Sequence, residues 1–206
     1  MKQEHLCEIE QFMLKYAGDS AHDADHIYRV LNQALTIAKK YVVDYDVLVA
    51  ACLLHDIGRP AQFADPSVCH AQIGSEMAYT FLKELGWSGN NCRRVEHCIL
   101  THRFRNDLQP ESIEAKILFD ADKLDVCGAL GIARTLQYEG KMNQSLQDFF
   151  KEYERKLIKL YDRFYTDAAK EMAKNGRSVM ELFHDELMDQ LNQTEAQNWL
   201  KSVKSR

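Results

Sequence analysis

The chain predicts an all-α fold, a compact multi-helix bundle with a C-terminal helical pair packed on it. Three observations carry that expectation. Only nine Gly and three Pro occur among 206 residues, so turn formers are scarce. Apolar residues recur at three- and four-residue spacing through most of the sequence. The segments between them begin at Ser or Asp and end at Gly, Asn or Pro, the punctuation of helix ends.

Helices are expected near 3–16, 21–40, 44–57, 67–85, 88–103, 110–136, 146–174 and 178–201, and no strand is expected. In the second, Ser20 with Asp23 three residues on approaches a capping box, and Ile27, Val30, Leu31, Ala34, Ile37, Ala38 and Tyr41 form its apolar stripe. The third, the apolar run Ala50-Ala51-Cys52-Leu53-Leu54, ends in His55-Asp56, and Gly58 stops it. Pro60 and Pro66 bracket a loop after that pair. His70 opens the next helix, whose core stripe is Ile73, Met77, Phe81 and Leu82. Gly86 to Asn91 breaks the following junction, and Pro110 suits the first position of the sixth helix. Ser145 with Asp148 and Ser178 with Glu181 start the last two helices, with Asn175-Gly176 as the hinge between them. That pair presents an apolar face that includes Leu146, Phe149, Phe150, Tyr153, Leu157, Leu160, Tyr161, Phe164 and Tyr165. It is expected to cover the core, with closing a pocket or forming a homodimer face as further roles open to it. Neither repeats nor linker-like composition divide the chain, so one domain over 1–206 is expected, with its motifs within about 20–135 and an extension over about 145–201.

Composition narrows the function classes. No apolar stretch approaches the ~20 residues that span a bilayer, and the start Met1-Lys2-Gln3-Glu4-His5 lacks a signal-peptide core. The six Cys (7, 52, 69, 92, 98, 127) include no Cys-x-x-Cys pair and read as reduced thiols, so a cytoplasmic location is expected. A zinc site on Cys92 and Cys98 has no support from spacing. With formal net charge −5 and no long basic run, duplex nucleic acid is not the expected partner, nor is a membrane.

The chemistry lies in four positions: His26, the adjacent His55-Asp56, and Asp122 within Asp120-Ala121-Asp122-Lys123-Leu124-Asp125. Buried charge is costly unless paired or bound to metal, and imidazole with carboxylate is a donor set for divalent cations. Read as ligands, the four make one cation site. Taken alone, His55-Asp56 could equally cap a turn and hydrogen-bond within the core. Context shifts that balance: His22 and His26 share one helical face, and three carboxylates crowd six residues of an otherwise apolar helix.

The phrases His26-Ile27-Tyr28-Arg29-Val30, Leu54-His55-Asp56-Ile57-Gly58 and Asp120-Ala121-Asp122-Lys123-Leu124-Asp125, in that order over residues 20 to 135, resemble those of the HD-domain (His-Asp) metal-dependent phosphohydrolases. The resemblance implies an all-helical fold and hydrolysis of a phosphoester or phosphoanhydride, with His26, His55, Asp56 and Asp122 as metal ligands. It also implies that Asp120 and Asp125 support the site rather than bind the ion. Two-metal relatives hold a second ion with further histidines from helices after the His-Asp pair. His70 and His97 are the candidates here, the other reading being polar groups that contact phosphate around a single ion. One divalent ion (Mn, Mg, Ni, Co, Fe or Zn) is the default and two the alternative.

The expected substrate is a small phosphorylated molecule, in first place a nucleotide. Such an ion lowers the pKa of its water and neutralises phosphoryl charge. Lys123 would add positive charge there, and His102, Arg103 and Arg59 are the substrate-binding candidates, because guanidinium pairs with phosphate in a planar fork. For Arg105, Arg29 and Arg59, a solvated surface position is an equal reading. His22 and Asp125 are candidates for proton transfer beside Asp56 and Lys123, whereas His5 and His184 receive no role. Two other classes stay open: a di-iron oxygenase on a similar helical cage, and a sensor or scaffold without catalysis.

Overall fold

The computed structural model describes residues 2–18, 24–103, 108–141, 145–146, 158–191 and 195–204. Among these the structure is helical, with no strand. The helix at the centre is α3 (Tyr45–Leu54), the most uniformly apolar of them. Val47, Leu48 and every residue from Ala50 to Leu54 are buried, which leaves exposed only Tyr45 in its first turn. An all-round apolar helix can be stable only when surrounded. Four helices supply that surround: α1 (Gln3–Leu14), α2 (Ala24–Ala38), α6 (Gly89–Thr101) and α7 (Ile113–Leu124). Asp44 starts α3 by accepting the Asp46 and Val47 N–H groups at 3.1 and 3.3 Å.

Two further helices build the other side of the site. Short α4 (Arg59–Ala64) follows the His-Asp pair, and α5 (His70–Glu84) packs along α6. The expected loop between Pro60 and Pro66 is thus largely α4. Pro60 lies in its first turn, where a missing N–H costs nothing, so it starts a helix rather than bracketing a loop. Gly86, at φ 83°, ends α5, and the Ser88 hydroxyl caps α6 by accepting Asn91 N–H at 3.2 Å.

The single helix expected over 110–136 is two. Ser112, not Pro110, marks the start of α7, its Oγ accepting Ala115 N–H at 3.1 Å. The chain breaks after Leu124, and α8 (Gly128–Lys141) begins at Gly128 with φ 64°, a conformation that L side chains resist. The apolar pattern runs on through the break, which is why periodicity joins the two.

The C-terminal pair also differs from expectation. A 3₁₀ segment (Ile158–Arg163) leads to α9 (Asp167–Leu191), which runs straight through Asn175-Gly176, and α10 (Glu195–Lys204) follows. Gly176 is a point of close approach rather than a hinge: a Cβ there would lie 3.1 Å from Gly128 N. Ser178 and Glu181 therefore fall inside α9 rather than at its start. The bend sits at residues 164–166, where the Thr166 hydroxyl accepts Ala169 N–H at 3.3 Å. Of the expected apolar face, Leu160 and Phe164 are buried and Leu146 is exposed. Asp148, Phe149, Phe150, Tyr153 and Leu157 lie outside the described residues, as do Ser20, His22, Asp23 and Arg105. The helix α9 packs on α8 and α7, so it does lie against the motif-bearing core.

Candidate metal centre

The site forms where the ends of buried helices meet. His55 is the C-cap of α3, wholly buried, and its Nδ1 lies 2.8 Å from the Cys52 carbonyl three residues back. A carbonyl can only accept, so that nitrogen carries the proton and Nε2 presents a lone pair. His102, the C-cap of α6, repeats the device with its Nδ1 2.5 Å from the Ile99 carbonyl. His26, in the first turn of α2, places Nδ1 2.7 Å from Asp125 Oδ2, and His70, first residue of α5, places its own 2.7 Å from Gln62 Oε1. Four imidazoles are thus each held at Nδ1 by an oxygen and aimed with Nε2 inward. Ligand histidines are oriented in this way by partners behind them.

These Nε2 atoms converge on the two oxygens of Asp56, which is buried. His26 and His55 lie 3.7 and 3.6 Å from Oδ2, while His70 and His102 lie 3.3 and 3.8 Å from Oδ1. Within each pair the facing nitrogens are 3.4 Å (His26, His55) and 3.3 Å (His70, His102) apart. Asp122 joins the first pair, its Oδ1 3.5 Å from His26 Nε2 and 4.0 Å from His55 Nε2. Among the described residues, two groups could therefore hold an ion, His26-His55-Asp56 and Asp56-His70-His102.

Electrostatics show what the space suits. Burial pushes the His55 imidazole below its ordinary pKa. It does the same to His70, aided by the Arg59 charge, and it takes His102 down to about 3 with help from His55. A proton is therefore a poor occupant between His70 and His102, and two lone pairs 3.3 Å apart repel. A divalent cation removes that repulsion, and nitrogen-rich donors with one or two carboxylates suit the Mn to Zn series better than Ca or Mg. Burial alone would raise Asp122, but the adjacent Lys123 ammonium and the histidines hold it well below the carboxylate range. It is anionic, as a ligand must be.

The supporting groups sort by what they touch. Asp125 is wholly buried and accepts from His26, from Arg29 at 2.8 and 3.1 Å, and from Arg134. Burial would raise its pKa, yet these donors keep it below the usual range, which favours the anion behind His26. Lys123 donates to Asp122 Oδ2 at 2.6 Å and to the His102 carbonyl at 3.1 Å, tying the two groups together. Arg59 donates to Asp56 Oδ1 at 2.9 Å and reaches Gln62 at 3.4 Å. Asp120 points the other way along α7, accepting from Tyr165 N–H (2.9 Å), Thr166 N–H (2.7 Å) and Thr166 Oγ (2.6 Å).

The structure departs from the sequence reading at two histidines. It does not bring His97 to the cluster: its Nε2 accepts Glu111 N–H at 3.3 Å. His102, read from sequence as a substrate contact, stands in that place. The two are five residues apart on α6, so they face different directions, and packing against α5 selects His102. A signal was present in the parallel runs Cys52-Leu53-Leu54-His55 and Cys98-Ile99-Leu100-Thr101-His102, apolar helices that each end in His. Gln62 and Arg134 carried no such signal. Arg103 lies 3.4 Å from Cys69 Sγ, beside His70.

One glycine permits the arrangement. A Cβ on Gly58 would lie 2.2 Å from the His70 carbonyl oxygen and 2.8 Å from Gly74 N. Only a residue without a side chain lets the end of α3 meet the start of α5.

Comparison with known proteins agrees with this architecture. The family model of the HD domain matches residues 23–127. YpgQ from Bacillus subtilis is 32% identical over 169 residues, which cover 78% of this chain and 80% of YpgQ. Its crystal structure in complex with ADP aligns with a TM-score of 0.74 at 28% identity, over 92% of this chain and 100% of that one. An HD-superfamily hydrolase from Bacillus thuringiensis aligns with a TM-score of 0.71 at 30% identity, over 94% and 100% of the two chains. A predicted HD superfamily hydrolase from an uncultured Thermotogales bacterium gives 0.65 at 29% identity, over 92% and 93%.

Proposed function

The chain belongs to the HD domain family, and from that premise we propose that it is a metal-dependent phosphohydrolase acting on a small phosphorylated substrate, a nucleotide. The observation that carries the reading is the convergence of four imidazole Nε2 atoms on the two oxygens of one buried carboxylate, Asp56. His26, His55, Asp56 and Asp122 would hold one divalent ion, and Asp56, His70 and His102 a second. Two ions are thus proposed where the sequence made one the default, and His102 takes the place given to His97 beside His70.

When bound, such ions supply a water of lowered pKa and positive charge for phosphoryl oxygens. The chain's own groups orient and balance them. Asp125 fixes the His26 ring, Cys52 and Ile99 carbonyls fix His55 and His102, and Gln62 fixes His70. Lys123 holds Asp122 and adds fixed positive charge where the transition state becomes more anionic. Arg59 and Arg103 flank the Asp56 and His70 side and are suited to phosphate. That YpgQ was crystallised with ADP supports a nucleotide over other phosphoesters.

The test is a phosphate-release screen over nucleotides and common phosphometabolites with Mn, Mg, Ni and Co supplied in turn, alongside elemental analysis. Turnover of a nucleotide with two ions per chain is expected. Oxygen consumption by a protein holding two irons, with no phosphate release, would move the assignment to an oxygenase. Full metal content after His55→Ala would remove the ligand assignment.

A further inference from the structure

A cavity of about 430 Å³ opens beside the centre, walled by Arg103, Gln109, Phe119, Asp162, Arg163 and Tyr165. Its size is in the range of small-molecule sites. Two elements join it to the centre. Phe119 lies one turn before Lys123 on α7, with the Lys123 ammonium 5.2 Å from the Phe119 ring, and Lys123 in turn holds Asp122 and the His102 carbonyl. On the other side, Arg103 follows His102 directly and rests on Cys69, the neighbour of His70.

The walls combine features that phosphate alone would not need. Phe119 and Tyr165 meet edge to face with centroids 4.9 Å apart, and Tyr165 remains 36% exposed while Phe119 is 2% exposed. The Tyr165 hydroxyl donates to Gln109 Oε1 at 2.5 Å, which leaves the Gln109 amide N–H groups as donors for acceptors on a ring edge. Tyr165 itself is fixed from behind, its N–H donating to the buried Asp120 at 2.9 Å. An aromatic face held rigid by backbone and side-chain bonds, with guanidinium groups beside it, is the chemistry that stacks a planar base.

We propose that this cavity receives the nucleobase end of the substrate, with Tyr165 as the face on which the ring lies, Arg163 and Gln109 along its edge, and Arg103 bridging toward the phosphates. The assignment rests on the phosphohydrolase reading above and adds to it a site for the part of the substrate that does not react.

Equilibrium binding of ADP and of pyrophosphate to the Mn-loaded full-length protein tests this, with metal content and circular dichroism checked for each variant. Wild-type protein should bind ADP more tightly than pyrophosphate. Tyr165→Leu should weaken ADP roughly tenfold, as expected for loss of an aromatic stack, and leave pyrophosphate unchanged, while Tyr165→Phe, which keeps the ring and loses only the bond to Gln109, should weaken ADP less than Tyr165→Leu does. Arg163→Ala, on a different wall, should also weaken ADP more than pyrophosphate, so the test does not hang on one variant. Equal affinities of the wild type for ADP and pyrophosphate would overturn the subsite, as would equal loss of both ligands in Tyr165→Leu and Arg163→Ala. Failure of Mn-loaded wild-type protein to bind either ligand would overturn the phosphohydrolase reading and the subsite with it.

Discussion

The two halves of the centre share Asp56 but are built differently. Behind His26 stands an anion, Asp125, itself held by Arg29 and Arg134, and Asp122 adds a second carboxylate to that half. Behind His70 and His102 stand neutral groups, the Gln62 amide and the Ile99 carbonyl, and the Arg59 guanidinium sits on the same Asp56 oxygen that they face. The first half therefore carries two carboxylates besides Asp56, each paired with cations (Asp125 with Arg29 and Arg134, Asp122 with Lys123), and the second carries none. On the proposed two-ion reading, the additional carboxylate Asp122 and the carboxylate-backed His26 would make the His26-His55 half the tighter position and the His70-His102 half the exchangeable one.

Removing the shared group should erase the difference. Asp56→Ala is expected to lose both ions and reduce turnover at least a thousandfold; elemental analysis that still finds an ion would show that one half stands without it. Next in size, His70→Ala should leave one ion in place whereas His55→Ala strips the tight position. Equal metal content in the two variants would show that the halves are not distinct. Asp125→Asn preserves shape but removes the anion behind His26, and a 10- to 100-fold loss of metal affinity in a chelator competition is expected, the usual cost of such a change. Gln62→Ala, which removes only a neutral partner, should cost less than tenfold in the same assay, and a reversal of that order would invert the comparison.

The smallest effect concerns pH. His55, His70 and His102 are depressed in the fold, so the unfolded chain takes up protons first as pH falls, and stability is lost from the ordinary value near 6.5 downward, continuing toward about 3 for His102. Chelator-treated protein should therefore be less stable at pH 6 than at pH 7.5. Urea unfolding that gives the same stability at both values would mean that the imidazoles are not held neutral.

The same contrast explains what the sequence disclosed. The charged half was legible because its residues, His26, His55, Asp56 and Asp122, sit beside other acids and at the ends of apolar runs, where a polar residue needs a reason. The neutral half was only partly so. His70 stood out at a helix start, but choosing between His97 and His102 required knowing which side of α6 meets α5, which is a matter of packing. Gln62 had no local signature because its role begins only when α4 brings it under His70. The helices themselves followed from their apolar spacing, and the boundary errors arose at prolines and glycines. Gly128 breaks a continuous apolar pattern through its positive φ, and Gly176, which resembled a helix end, is small so that α9 can touch α8. Local sequence shows that a glycine is present, while tertiary contact decides whether it turns the chain or thins it.

Gly58 sets what the centre tolerates by way of substitution. Because the turn after α3 meets the first turns of α5 backbone to backbone, with 2.2 Å left for a Cβ, any side chain at position 58 must push His55-Asp56 away from His70. The partners behind each ring can be exchanged one at a time without moving the backbone, whereas the separation of the two histidine pairs changes only when the helices move.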